Sequence, residues 1–165
     1  MRLYAIISKL TGIFDWGEYN AMSKIEADLM DEIMEYLKNR KDVAFAFLYG
    51  SYAKGFATGL SDVDIAVYFY PQKRHPVEFE EKHFYDGENE IWGCLQKILK
   101  KEVEILVLNR APASVAASAI RGIPLAINDW GLYLDFMEVI TDLAEDFEEF
   151  IIRHYKETNP VEKRN

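Results

Sequence analysis

The chain has 165 residues, half of them hydrophobic, which is enough for one domain with a filled core. Its formal net charge of −9 argues against a broad nucleic-acid footprint, and an acidic chain that handles a nucleotide needs metal ions to mask its own field. Cys94 is the only cysteine, which excludes an internal disulfide framework and a cysteine-based zinc site. The apolar stretch at residues 4–10 is too short and too interrupted to span a bilayer, and no small-residue cleavage site follows it. The expected compartment is the cytoplasm.

Residues 1–22 read as an N-terminal extension, in which Ile6, Ile7, Leu10 and Phe14 would pack a helix on the domain. Met22 offers an alternative start. The domain proper is expected over 23–157, with a polar tail at 158–165. Ser23 and Glu26 have the spacing of a capping box, and Ile25, Leu29, Ile33, Met34 and Leu37 recur at helical period, so a helix is expected over 23–40. Residues 43–49 and 63–69 read as buried strands, with a short helix after Gly50. Prolines 71 and 76 bound a polar loop. A helix follows over about 87–100, with Lys97, Lys100 and Lys101 at the end where positive charge is favoured. A third strand runs over 103–108, a short helix starts at Pro112 and ends before Gly122, and a long helix covers 131 to about 155. The alternation predicts an α/β (α+β) domain, a small mixed β-sheet flanked by helices, without internal repeats.

The segment with the most chemistry is residues 50–64, GSYAKGFATGLSDVD. Gly50 and Ser51 close one apolar run, and ten residues after Ser51 a pair of aspartates, Asp62 and Asp64, opens the next. Residues two apart on a strand share a face, so the two carboxylates stand side by side while Val63 and Ile65 face the core. Such a pair repels itself, and a divalent cation with a taste for hard oxygen relieves the repulsion; Mg²⁺ fits best. Free N–H groups of the Gly50–Ser51 turn are candidates to hold phosphate. On the third strand Glu102 and Glu104 share a face, and the alternation alone does not choose between them.

This pattern resembles the polymerase β-type nucleotidyltransferase superfamily. Within it, GSYAKG and SDVDIAV are similar to the minimal nucleotidyltransferases (MNT), antitoxins that pair with HEPN toxins. The likeness extends over roughly 25–155, through VEILVLNRAP and GIPLAINDWGLYLDF. It implies a polymerase β-like nucleotidyltransferase fold, catalytic and metal-binding roles for Asp62, Asp64 and Glu104, nucleotide binding at Gly50 and Ser51, two Mg²⁺ ions, and ATP as substrate. Glutamate at position 104 departs from the aspartate commoner in relatives. The implied reaction moves AMP onto a hydroxyl of a HEPN ribonuclease toxin, a tyrosine by the same resemblance, and so silences it. Alternatives are transfer to a small molecule such as an aminoglycoside, for which the chain has little room, and a non-catalytic binding antitoxin. A homo-oligomer stays open.

Other polar and aromatic residues have plainer readings. Lys54, Arg74 and His75 read as solvated loop residues, His83 and His154 lack metal-ligand spacing, and Trp16, Trp92 and Trp130 read as core. The last helix repeats Phe136, Ile140, Leu143, Phe147 and Phe150 at helical spacing, inside a rim of seven acidic residues from Asp135 to Glu149. Its distal part, Phe147, Phe150 and Ile151, is a candidate docking site for a basic partner.

Overall fold

The structure, a computed structural model, describes residues 25–72 and 83–158. The expected extension, most of the proline-bounded loop and the polar tail lie outside these residues. Helix α1 (Ala27–Lys38) turns Met30, Ile33, Met34 and Leu37 inward, as their spacing requires. Its cap differs from expectation. Glu26 stands at the N-cap position without a side-chain capping bond, rather than at the third helical residue where a capping box would need it.

Four strands form one sheet in the order β3-β2-β1-β4. Strand β1 (Val43–Leu48) is central and buried on all six residues. It runs antiparallel to β2 (Val63–Phe69) on one side and to β4 (Ile123–Ile127) on the other. Strand β3 (Val103–Val107) lies parallel to β2. Parallel neighbours need a crossover, and helix α3 (Gly87–Leu99) supplies it. Helices α1 and α3 pack on one face, against Leu48, Ile65 and Val67 among others. Helix α4 (Ala113–Ala119), through Ala116, Ala117 and Ala119, and helix α5 (Trp130–Thr158), through Phe136 and Ile140, cover the opposite face in one cluster with Phe45, Phe47 and Tyr68. Phe45 and Tyr68 stack at 4.7 Å with Phe136 closing over both. A register shift between Val43 and Phe45 puts Ala44 and Phe45 on the same side, so strict alternation fails there.

Strand β4 was not among the expected elements. Its Pro124 reads against a strand, yet β4 is an edge, where a missing N–H is tolerated. Helix α5 starts one residue earlier than expected because the Asp129 carboxylate accepts the Leu132 N–H at 2.9 Å. Phe136 and Ile140 are buried, whereas Leu143 is 47 % exposed. The side chains of Phe147, Phe150 and Ile151 lie outside the described residues, and the proposed docking patch with them. Trp92 and Trp130 correct the expectation of core tryptophans, being 45 % and 43 % exposed; the Trp92 indole N–H is satisfied by the Val103 carbonyl at 3.0 Å.

The charged groups at one end of the sheet are paired. Arg40 donates to Asp42 at 2.6 and 2.8 Å and to Glu90 at 3.0 Å, tying the end of α1 to the start of β1 and to α3. Arg110 grips Glu88 with two bonds, and Asn109, buried, holds the backbone N–H and carbonyl of Phe69. The Arg40 hydrogen bond holds the Asp42 carboxyl below its ordinary range. A carboxyl lowered in the folded state stabilises above its unfolded pKa, and that contribution fades as pH falls through the folded value. Asp42→Asn is therefore expected to destabilise the protein at neutral pH by about 1 kcal/mol, a figure kept low because the carboxylate is partly solvated. Denaturation curves of parent and variant should converge in acid, below about pH 4.

Candidate active site

All the strand ends that carry unpaired acids meet at the other end of the sheet. β1 ends there, β2 and β3 begin there, and β4 begins beside Leu48. The turn after β1 is tight: Gly50 adopts φ +65° and opens the four-residue helix α2 (Gly50–Ala53). A side chain at position 50 would collide with the Asp64 carboxylate, so glycine is required here both for its backbone angle and for space. The Ser51 backbone N–H donates to that carboxylate, which leaves one fewer free donor on the turn than the sequence suggested. Buried Tyr52 fixes α2 on the core below.

Asp64 sits on β2 with Val63 and Ile65 buried on the opposite face, as alternation predicts. Its register partner on β3 is Glu104. Glu102 lies one pleat further out, where its carboxylate accepts from Gln96 at 3.0 Å and its carbonyl from the Val63 N–H at 2.9 Å. Strand pairing thus makes Glu104, and not Glu102, the register neighbour of Asp64. Asp62 precedes β2 and is exposed. Burial raises the Asp64 carboxyl above its ordinary value, and the charges of Glu104 and then Asp62 push the same way.

These oxygens have the chemistry of a magnesium site: hard, anionic and mutually repelling. Among the described residues, however, no three acidic, histidine or cysteine side chains converge on one point. Asp64 and Glu104 are neighbours in register, and Asp62 adds its charge from the loop. Lys54 is the exposed C-cap of α2, in keeping with a solvated lysine. His83 gives its carbonyl to Arg110 and its ring to Tyr85, away from the acidic end. Arg74 and His75 lie outside the described residues, as does the His154 side chain. The sequence reading passed over Tyr49, whose phenol is pushed up to about 12 by burial and by the charges of Asp64 and Glu104. Its position directly before Gly50 was the available signal.

The family model for polymerase β nucleotidyltransferases matches residues 31–130, more than half of the chain. The chain belongs to the polymerase β nucleotidyltransferase family. As expected for this nucleotidyltransferase, solved structures share its fold. One is a toxin–antitoxin with AMP-PNP, at TM-score 0.56 and 16% identity, covering 79% of this chain and 96% of that one. Another is the toxin–antitoxin MntA–HepT, at 0.55 and 15%, covering 81% and 98%. A third is a tri-AMPylated Shewanella oneidensis HEPN toxin in complex with MNT antitoxin, at 0.54 and 15%, covering 79% and 97%. No curated protein matches the sequence. No helix among the described residues is long and apolar enough to cross a membrane.

Because the Asp64 carboxyl is raised on folding, its ionisation at neutral pH opposes the fold, and this opposition is absent below the ordinary aspartate pKa of about 3.9. Asp64→Asn should raise the thermal midpoint of the unligated protein at pH 7, with a gain that vanishes in acid. The same variant should lose the stabilisation that Mg²⁺ and ATP give the parent, which calorimetry with and without the pair would read.

Proposed function

We propose that this nucleotidyltransferase moves AMP from ATP onto a hydroxyl of a partner protein, and that the partner is a HEPN-type toxin silenced by the modification. The observation that carries the reading is the packing of the Gly50–Ser51 turn directly on Asp64, with Glu104 in register beside it. A phosphate-holding turn and a pair of carboxylates within one short span are what transfer at phosphorus needs. The antitoxins of the similar structures support the choice of partner, since this chain covers nearly their whole length.

In this reading Gly50 and Ser51 hold the β- and γ-phosphates, with the Ser51 hydroxyl available as well as the remaining backbone donor. Asp62, Asp64 and Glu104 would hold Mg²⁺, which when bound supplies charge neutralisation at the triphosphate. Glu104, the more exposed member of the register pair, takes the proton of the attacking hydroxyl. Asp64, fixed by Gly50 and Ser51, sets the position of the α-phosphorus between turn and base. No covalent intermediate on the protein is required, because orientation and charge complementarity provide most of the acceleration.

Intact-mass measurement after co-expression with the adjacent-gene protein, in the presence of ATP and Mg²⁺, should show adenylyl adducts on that protein. Their absence, with both proteins folded, would defeat the proposed acceptor. Adducts on a small-molecule acceptor instead would move the chain to the drug-modifying class. Glu104→Gln is expected to slow transfer by at least about a hundredfold, the scale of a lost general base, while Glu102→Gln stays near the parent rate. Equal losses in the two variants would detach the proton-acceptor role from the register pair.

A further inference from the structure

Tyr49 stands in line with the two carboxylates. It prolongs β1 by one extended residue, φ −133° and ψ −163°, so its ring falls on the face that Phe47 occupies. Its N–H donates to the Asp64 carbonyl at 2.9 Å, which makes Asp64 its cross-strand neighbour just as Glu104 is the neighbour of Asp64 on the far side. One face of the sheet therefore carries the row Tyr49, Asp64, Glu104 over β1, β2 and β3. With strands about 4.8 Å apart, the row is about 10 Å long. The Tyr49 ring packs half-buried against the apolar cluster of that face. Among the described residues none accepts a hydrogen bond from its hydroxyl, although the phenol lies within electrostatic reach of both carboxylates.

The order of the row matters for transfer at phosphorus, because the nucleophile and the leaving group lie on opposite sides of the phosphorus. If Glu104 receives the acceptor's proton at the β3 end, the pyrophosphate departs toward the β1 end. That is where the Gly50–Ser51 turn follows Tyr49 in the chain. We propose that Tyr49 is a catalytic residue whose phenol O–H donates a hydrogen bond to the pyrophosphate oxygen as its bond to the α-phosphorus breaks. The inference rests on the adenylyl-transfer reading above. The bond formed joins the acceptor oxygen to the α-phosphorus, and the acceptor's proton goes to Glu104. The electron pair of the broken bond leaves on pyrophosphate, while the phenol keeps its own proton. A neutral donor suits this place: it meets developing negative charge without adding a cation that would pair with Asp64.

Tyr49→Phe keeps the ring and removes the donor. In the full-length protein its thermal transition should match the parent's, and its affinity for a non-reactive α,β-methylene analogue of ATP should change by less than about threefold. Single-turnover transfer from ATP should fall about hundredfold, the scale of one lost donor to developing charge. The deficit should shrink with a triphosphate fluorinated on its β,γ-bridge, whose pyrophosphate-type product is the better leaving group. A packing role would slow both substrates alike. Tyr49→His, with a ring and an N–H donor, should recover part of the rate if Tyr49→Phe proves unstable. A parent-like rate in Tyr49→Phe, or a deficit independent of the leaving group, overturns the inference while transfer by the parent stands. Absence of transfer by the parent to any acceptor overturns the underlying reading and this inference together.

Discussion

Two like charges held in register are the constraint around which the acidic end of this protein is built. Asp64 and Glu104 face each other across parallel strands, and the Gly50 backbone presses on Asp64 from the third side. Left to themselves, carboxylates in water would separate. Here each is anchored by a backbone whose neighbours, Val63 and Ile65 on β2 and Val103 on β3, are buried. Moving a carboxylate away by shifting its strand would expose an entire apolar face, because a one-residue slip exchanges inside for outside. The repulsion is local and the burial is collective, so the burial wins.

The parallel pairing is itself a product of the chain's path. A tight hairpin after β2 would have made β3 antiparallel and brought a different residue opposite Asp64. Helix α3 carries the chain back to the starting end instead, with Ile91, Leu95 and Leu99 buried against the sheet. Its return is secured far from the acids. Arg40 bridges Asp42 and Glu90, Arg110 holds Glu88, and Asn109 closes the end of β2. Opposite charges are thus paired at one end of the sheet, while like charges are gathered unpaired at the other. The first end positions the elements and the second retains the unbalanced charge that a cation and a triphosphate can answer.

The same polarity explains why a chain with net charge −9 is suited to a polyanionic substrate. In the proposed reaction the carboxylates of the acidic end would repel a triphosphate, and a divalent cation bound with it would offset that repulsion. Backbone donors and the neutral hydroxyls proposed for the reaction, at Ser51 and Tyr49, would add contacts that do not cancel the carboxylates. The short helix α2 gains its rigidity from Tyr52, buried beneath it, and so keeps the turn against Asp64.

Much of this was written in local sequence. Apolar period marked α1 and α5, terminal lysines marked α3, continuous apolar runs marked β1 and β2, and Gly50-Ser51 with Asp62 and Asp64 marked the candidate site, since each depends on neighbours within a few turns or pleats. What depended on distant partners was not legible. Strand β4 contains a proline that only an edge position accommodates, and the edge is defined by the other three strands. Trp92 and Trp130 are as apolar as core residues, but the helices turn them partly outward. Glu102 and Glu104 share a face, so sequence alternation treats them alike; the register of β3 on β2 separates them. Tyr49 read as the last residue of an apolar run, and became part of the acidic row only when β1, β2 and β3 were laid side by side. Sequence determined the elements and the chemical groups, because those follow from local stereochemistry and periodicity. Tertiary structure decided which groups are neighbours, because register and edge position are properties of several strands together.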